Sequence, residues 1–115
     1  MIGLLVSIDL AATFGTRERL RAYIAEESLP RYRDVNGLRL KVYVSDETAN
    51  TFGGFYLWES EDALAAALPR IAASLRSRYG VTPTIQRFEV EAIVEGRHAT
   101  PDFASVGRFF EPPSS

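Results

Sequence analysis

Aromatic and cationic side chains are the residues of this sequence that are best suited to chemistry. They lie close together along the chain and are Tyr32, Arg39, Lys41, Tyr43, Tyr56 and Trp58. Tyrosine hydroxyls can donate or relay protons, and cationic groups can stabilise a negative charge that develops on oxygen. Lys41 stands out because its sequence neighbours indicate burial, and burial lowers the proton affinity of a lysine.

Each of these residues also has a purely structural explanation. Tyr56 and Trp58 are large amphipathic side chains that could fill a core or a subunit interface. Lys41 could extend its charge into solvent from an edge strand, where it would protect that edge against aggregation. Both interpretations remain open on the sequence alone.

The two stretches that carry most of these residues are predicted to be strands. Residues 38–44 alternate aliphatic side chains with charged or aromatic ones, and this period of two indicates two chemically different faces. Residues 52–58 carry large side chains on both faces, so both faces must be covered. The pair Gly53 and Gly54 indicates either a bulge or a place where another group approaches the backbone closely.

The remaining periodicity predicts two more strands and two helices. The strands cover residues 3–10 and 82–94, although the second is long enough that part of it is expected to extend beyond the sheet. The helices run from Thr16, the N-cap, to about Ser28, and over residues 64–79.

Two prolines are predicted to limit these helices. Pro30 should end the first helix, so residues 31–36 are expected to form a loop. Pro69 lies within the second helix and removes the hydrogen bond to the carbonyl of Ala65. We therefore expect a kink there or a break into two pieces.

The predicted order of elements is β-α-β-β-α-β, which is the ferredoxin-like arrangement of the α+β class. It places both helices on one face of a four-stranded antiparallel sheet. The apolar groups on the other face favour a homodimer, in which an identical subunit covers them. Residues 1–94 form this single domain. Residues 95–115 form a C-terminal tail whose three phenylalanines suggest that it docks against the protein.

Composition and charge exclude several classes of protein. The chain has 115 residues, 46% of them hydrophobic, and a net charge of -2, which fits one globular domain without a nucleic-acid surface. It has no cysteine, which excludes disulfides and thiol chemistry and fits a reducing compartment. No apolar run approaches the roughly 20 residues of a membrane span, and no signal peptide is recognisable. We expect a cytoplasmic protein that binds neither nucleic acid nor membrane.

The sequence offers little to bind a cofactor. Its single histidine, His98, follows the last predicted strand, whereas a nitrogen-rich metal site needs two or three histidines. The Gly53–Gly54 pair lies within a strand, not before a helix where a phosphate could be held. We therefore expect no metal, haem, flavin or nicotinamide.

The region from residue 38 to about residue 64 resembles the YdhR-like monooxygenases. The resemblance rests on the segment Lys41-Val42-Tyr43, the short polar loop after it, the run from Gly53 to Trp58 and the acidic start of the next helix. It implies a homodimer of the dimeric α/β-barrel superfamily, which also contains the antibiotic-biosynthesis monooxygenases. It further implies a pocket between sheet and helices in each subunit. The chain differs in having Tyr43 where that family often has Trp, and Trp58 where it often has Phe.

The resemblance and the side chains together predict a cofactor-independent monooxygenase that acts on a small phenolic or quinol-type molecule. Lys41 and Tyr56 are the predicted catalytic residues. The predicted substrate-binding residues are Arg39, Tyr43, Trp58 and Tyr32. A binding protein that holds an aromatic ligand without converting it needs the same pocket, as does a cyclase or isomerase.

Overall fold

The computed structural model describes residues 1–94 and residue 96. Its elements are β1 (Ile2–Asp9), α1 (Arg17–Tyr23), a π-helical turn (Ile24–Ser28), α2 (Leu29–Arg33), β2 (Leu38–Asp46), β3 (Thr51–Trp58), α3 (Glu61–Tyr79) and β4 (Thr84–Glu89). The strands form one antiparallel sheet in the order β2-β3-β1-β4. The predicted ferredoxin-like α+β fold is therefore confirmed.

The core lies between one face of the sheet and the helices. On β1, Ile2, Leu4, Val6 and Ile8 are buried on this face, as the alternation in the sequence indicates. The helices contribute the other half of the core through Leu20, Ile24, Leu64 and Ile71. We call this side of the sheet the helix face.

The opposite side, which we call the open face, carries apolar groups that the other described residues leave exposed. Leu40, Val42 and Val44 on β2 are 48%, 43% and 46% exposed. Val42 pairs with Phe55 on β3, so the apolar surface continues across the two strands. An apolar patch of this kind is typical of an interaction surface.

Pro30 does not end the first helical segment, contrary to the prediction. A π-helical turn precedes it, in which the Leu29 amide donates to the carbonyl of Ile24. Pro30 then lies in the first turn of α2, where the backbone N–H that proline lacks is not needed for a hydrogen bond within that helix. Helix therefore continues to Arg33, and the predicted loop of residues 31–36 is correct only for its second half.

Pro69 does not break α3, which runs without interruption from Glu61 to Tyr79. Both ends of the helix are capped: the Ser60 hydroxyl accepts a hydrogen bond from the Ala63 amide, and Gly80 adopts the left-handed conformation. Together with burial of Leu64 and Ile71, these caps offset the one hydrogen bond that the proline removes.

The last strand is shorter than the predicted range of residues 82–94. Its pairing with β1 ends at Glu89, because the partner residue Ile2 is the first of β1. A further bond, from the Val90 amide to the Met1 carbonyl, continues beyond it. The predicted C-terminal tail and His98 lie outside the described residues. No helix in the described part of the chain has the length and apolar character needed to cross a bilayer.

Candidate functional site

A narrow cavity lies between the helix face of β2 and β3 and the helices above it. The cavity has a volume of about 40 Å³, which is enough for about two or three water molecules. We call it the Lys41 cavity. Its polar lining residues are Tyr23, Ser28, Arg31, Tyr32, Lys41, Tyr43, Tyr56, Ser74, Arg78 and Tyr79.

Three tyrosine rings surround the Lys41 side-chain nitrogen. The distances from Nζ to the ring centroids are 3.5 Å for Tyr32, 4.3 Å for Tyr43 and 4.6 Å for Tyr56. The sheet register explains two of these contacts, because Lys41 lies opposite Tyr56 and Tyr43 follows two residues later on the same face. The third ring comes from α2. Four residues that the sequence predicted for one site are thus brought together.

The glycine pair supports the close-approach interpretation. A Cβ on Gly54 would lie 3.1 Å from Cε of Lys41, so the bare backbone leaves room for the lysine side chain. A Cβ on Gly53 would overlap the Val6 carbonyl of the neighbouring strand. The irregular pairing that a bulge would cause occurs elsewhere, between Leu38 and Leu40 on β2.

Among the described residues, Lys41 has no charged partner of opposite sign. None of the described residues that line the cavity is an aspartate or glutamate. Burial, together with the positive charge of Arg31, lowers the pKa of Lys41 to about 7. The ring faces attract an ammonium and oppose part of this shift. Near neutral pH a large fraction of Lys41 is therefore a free amine.

The tyrosines around Lys41 keep their protons at neutral pH. Burial raises the pKa of Tyr56 and of Tyr32, and it raises the pKa of Tyr43 to about 12. The Tyr43 hydroxyl and the Ser28 hydroxyl lie 2.7 Å apart and share a hydrogen bond. The cavity thus combines a weakly basic amine with hydroxyls that remain proton donors.

The π-helical turn supplies residues that the sequence did not identify. Ser28 ends this turn, is buried, and fixes the Tyr43 ring through the hydrogen bond. The turn also sets the direction of α2, which brings Arg31 and Tyr32 to the cavity. Pro30 two residues after Ser28 was the only local signal, and its ordinary meaning is a helix end.

Two of the predicted substrate-binding residues do not line the cavity. Trp58 is 0% exposed and stacks behind Tyr56, with ring centroids 6.2 Å apart and an interplanar angle of 6°. Its indole N–H is buried without a partner. Arg39 is exposed beside the irregular pairing of β2 and lies 3.7 Å from Glu59, so it forms a surface ion pair.

No group of three or more histidine, aspartate or glutamate side chains suited to a metal ion occurs within the described residues. The cavity lining contains hydroxyls, guanidinium groups and an amine. Since metal ions prefer carboxylate, imidazole or thiolate ligands, this donor set does not fit one.

Comparison with known proteins relates the chain to solved structures. No protein-family model and no curated protein matches the sequence. The structure is similar to a protein of unknown function from Nitrosomonas europaea, with 22% identity, a TM-score of 0.63 and coverage of 83% of this chain and 93% of that one.

Two other similar structures are oxygenases. One is the ActVA-Orf6 monooxygenase of Streptomyces coelicolor in complex with nanaomycin D: 17% identity, TM-score 0.60, coverage 83% and 91%. The other is SnoaB, a cofactor-independent oxygenase of Streptomyces nogalater, as the N63A mutant: 13% identity, TM-score 0.57, coverage 83% and 97%. At these identities the likeness establishes the fold alone, which is the ferredoxin-like α+β arrangement described above.

The lowered pKa of Lys41 makes stability depend on pH in a defined direction. Between the folded pKa of about 7 and the ordinary value of 10.5, the unfolded chain binds a proton that the folded chain has released. Stability therefore rises with pH across this window, and below it Lys41 contributes its full destabilising effect.

We expect the melting temperature of the wild type, relative to that of Lys41→Met, to rise by on the order of 10 °C between about pH 6.5 and about pH 9.5. Arg39→Met removes an exposed cation of the same strand and should leave the pH profile of the wild type unchanged. Parallel profiles for wild type and Lys41→Met would show that Lys41 keeps an ordinary pKa.

Proposed function

We propose that this protein is a cofactor-independent monooxygenase whose substrate is a small phenol or quinol held in the Lys41 cavity. The observation that carries the proposal is the Lys41 amine, which is enclosed by three tyrosine rings and has no carboxylate partner among the residues that the structure describes. An amine in this setting can accept a phenolic proton near neutral pH, which is the step that makes a phenol reactive towards oxygen.

The reaction begins with transfer of the substrate's hydroxyl proton to Nζ of Lys41. The resulting ammonium stabilises the phenolate oxygen electrostatically in a site that excludes most water. The faces of Tyr32, Tyr43 and Tyr56 stabilise the ammonium in turn.

The electron-rich ring carbon then adds to dioxygen, and the peroxide takes a proton from the Lys41 ammonium or a tyrosine hydroxyl. Loss of water gives the quinone. One phenol and one oxygen molecule thus yield one quinone and one water, so the substrate supplies all the electrons.

The size of the cavity adds a requirement to this mechanism. An aromatic ring is larger than the roughly 40 Å³ that is open. The substrate must therefore displace water and move the flexible Lys41 side chain, above the space left by Gly54. Ring stacking against the tyrosines offsets part of that cost.

Two of the similar structures support an oxygenase. One is a monooxygenase in complex with nanaomycin D, and the other is a cofactor-independent oxygenase. The donor set of the cavity supports chemistry without a metal. We also propose that the chain belongs to the YdhR-like family, because it carries the motif from Lys41 to Trp58. We propose a cytoplasmic location because the sequence contains no cysteine.

We further propose that the protein is a homodimer in which the open faces of two sheets meet. The exposed apolar side chains of Leu40, Val42 and Val44 support this arrangement. Such an interface would be isologous, so the same patch is used twice.

A charge on the open face tests this assembly. We expect sedimentation to show a dimer at micromolar concentration for the wild type and a monomer for Val42→Glu. Ala73→Glu places the same charge on an exposed position of α3 and should remain dimeric. A monomeric wild type would contradict the homodimer.

Oxygen consumption tests the catalytic proposal. With a panel of phenols and hydroquinones at about pH 8, we expect the wild type to consume oxygen and Lys41→Met to lose at least about 100-fold in kcat/KM, the usual range for a proton-transfer residue. Arg39→Met is the matched control and should keep full activity, because Arg39 lies outside the cavity. Tyr56→Phe should lower turnover more than it lowers the melting temperature.

Three results would contradict the proposal. The first is full activity of Lys41→Met, and the second is a chromophore that remains bound after gentle purification. The third is saturable quenching of Trp58 fluorescence by phenols without any oxygen uptake. This last outcome would identify a binding protein, or, if the ligand is rearranged, a cyclase or isomerase.

A further inference from the structure

Lys41 is the only lysine in the sequence, and its amine faces a cavity walled by aromatic rings. We propose that this amine reacts with small aldehydes or ketones that enter the cavity and holds them as an imine. The proposal assigns to the same side chain a second reaction, one that requires neither oxygen nor a phenol.

The surroundings of Lys41 meet the conditions for a nucleophilic lysine. Amines become nucleophilic in proteins when they are desolvated in an apolar pocket or lie near another cation. Lys41 meets both conditions, because burial and the charge of Arg31 lower its pKa to about 7. The described residues give Nζ no hydrogen bond and no ion pair, so no carboxylate among them holds the amine in its protonated form.

Formation of the imine requires no oxidant or reductant. The Nζ lone pair attacks the carbonyl carbon, a C–N bond forms, and a proton moves from nitrogen to oxygen to give a carbinolamine. The C–O bond then breaks, the oxygen leaves as water, and the nitrogen loses its second proton. One amine and one carbonyl compound yield one imine and one water.

The neighbouring tyrosine hydroxyls can donate the proton that the oxygen needs in order to leave as water. Tyr43 and Tyr56 line the same cavity, and their raised pKa values keep them protonated at neutral pH. The hydrogen bond between Tyr43 and Ser28 holds the Tyr43 ring in place. A narrow cavity also limits the water that would hydrolyse the imine.

The size of the cavity defines the class of compound. Because only about 40 Å³ is open, the smallest carbonyl compounds require the least movement of the cavity walls, whereas a fused ring system requires much larger movements. Short aliphatic aldehydes are therefore the best probes.

Reductive trapping of the imine tests the proposal on the folded protein. The variant Arg39→Lys introduces an exposed lysine on the same strand, outside the cavity, so both amines can be compared within one molecule. Propionaldehyde and cyanoborohydride are added at about pH 7 under nitrogen, and peptide mass spectrometry follows the adducts at positions 39 and 41 and at the N-terminus.

We expect position 41 to be labelled at least about 10-fold faster than position 39. At this pH roughly half of Lys41 is a free amine, but only about one in a thousand of an ordinary lysine. Its lower intrinsic nucleophilicity offsets part of this advantage. Labelling of position 41 should be half-maximal near pH 7, and Lys41→Arg should abolish it.

Equal or slower labelling of position 41, or labelling that appears only above about pH 9, would overturn the proposal. Because the reaction is run under nitrogen, this outcome is independent of oxygenase activity. A protein that consumes oxygen but forms no adduct retains the proposed function and loses the imine. A protein that forms the adduct without consuming oxygen retains the imine and loses the proposed oxygenase function.

Discussion

The rest of the site depends on one interaction, the enclosure of a single amine by three tyrosine rings with no counter-ion in the described part of the chain. An unpaired buried charge is costly, and a protein reduces that cost by releasing the proton. Ring faces partly stabilise the ammonium but do not replace a carboxylate. The amine is thereby left close to balance between its two protonation states, the condition under which a group can both accept and return a proton.

Several features of the backbone follow from the need to enclose this amine. Gly54 leaves space beneath the Lys41 side chain, and the π-helical turn directs α2 so that Tyr32 covers it. Ser28, at the end of that turn, orients Tyr43. Trp58 supports Tyr56 from behind, which makes it part of the wall of the site without direct access to a ligand. Fold and site are therefore coupled through β2, β3 and the first helical segment.

Local patterns in the sequence were sufficient for the sheet, and they selected candidates, among them Lys41, Tyr43 and Tyr56, that the fold brings together. Lys41 was identifiable because it is a charged residue in the middle of a strand whose neighbours indicate burial, whereas its register opposite Tyr56 depends on how β2 and β3 pair. The π-helical turn and α2, which cover the cavity, were not predictable, because a π turn is rare and a proline such as Pro30 normally ends a helix. Arg39, a predicted substrate-binding residue, lies at the surface beside the irregular pairing at Leu38 and Leu40 and does not line the cavity. The end of β4 depends on where its partner β1 begins, which is a long-range property.

The protonation of Lys41 tests the account most directly, and the sequence makes it easy to observe. Because the chain contains one lysine, lysine labelled with ¹³C at Cε gives a single side-chain signal in an NMR titration, without assignment. The account predicts that this signal titrates with a midpoint near 7, the pKa that burial and Arg31 impose. A midpoint near the ordinary lysine value of 10.5 would contradict it, because the amine would then be fully charged at neutral pH and could serve neither as a base nor as a nucleophile.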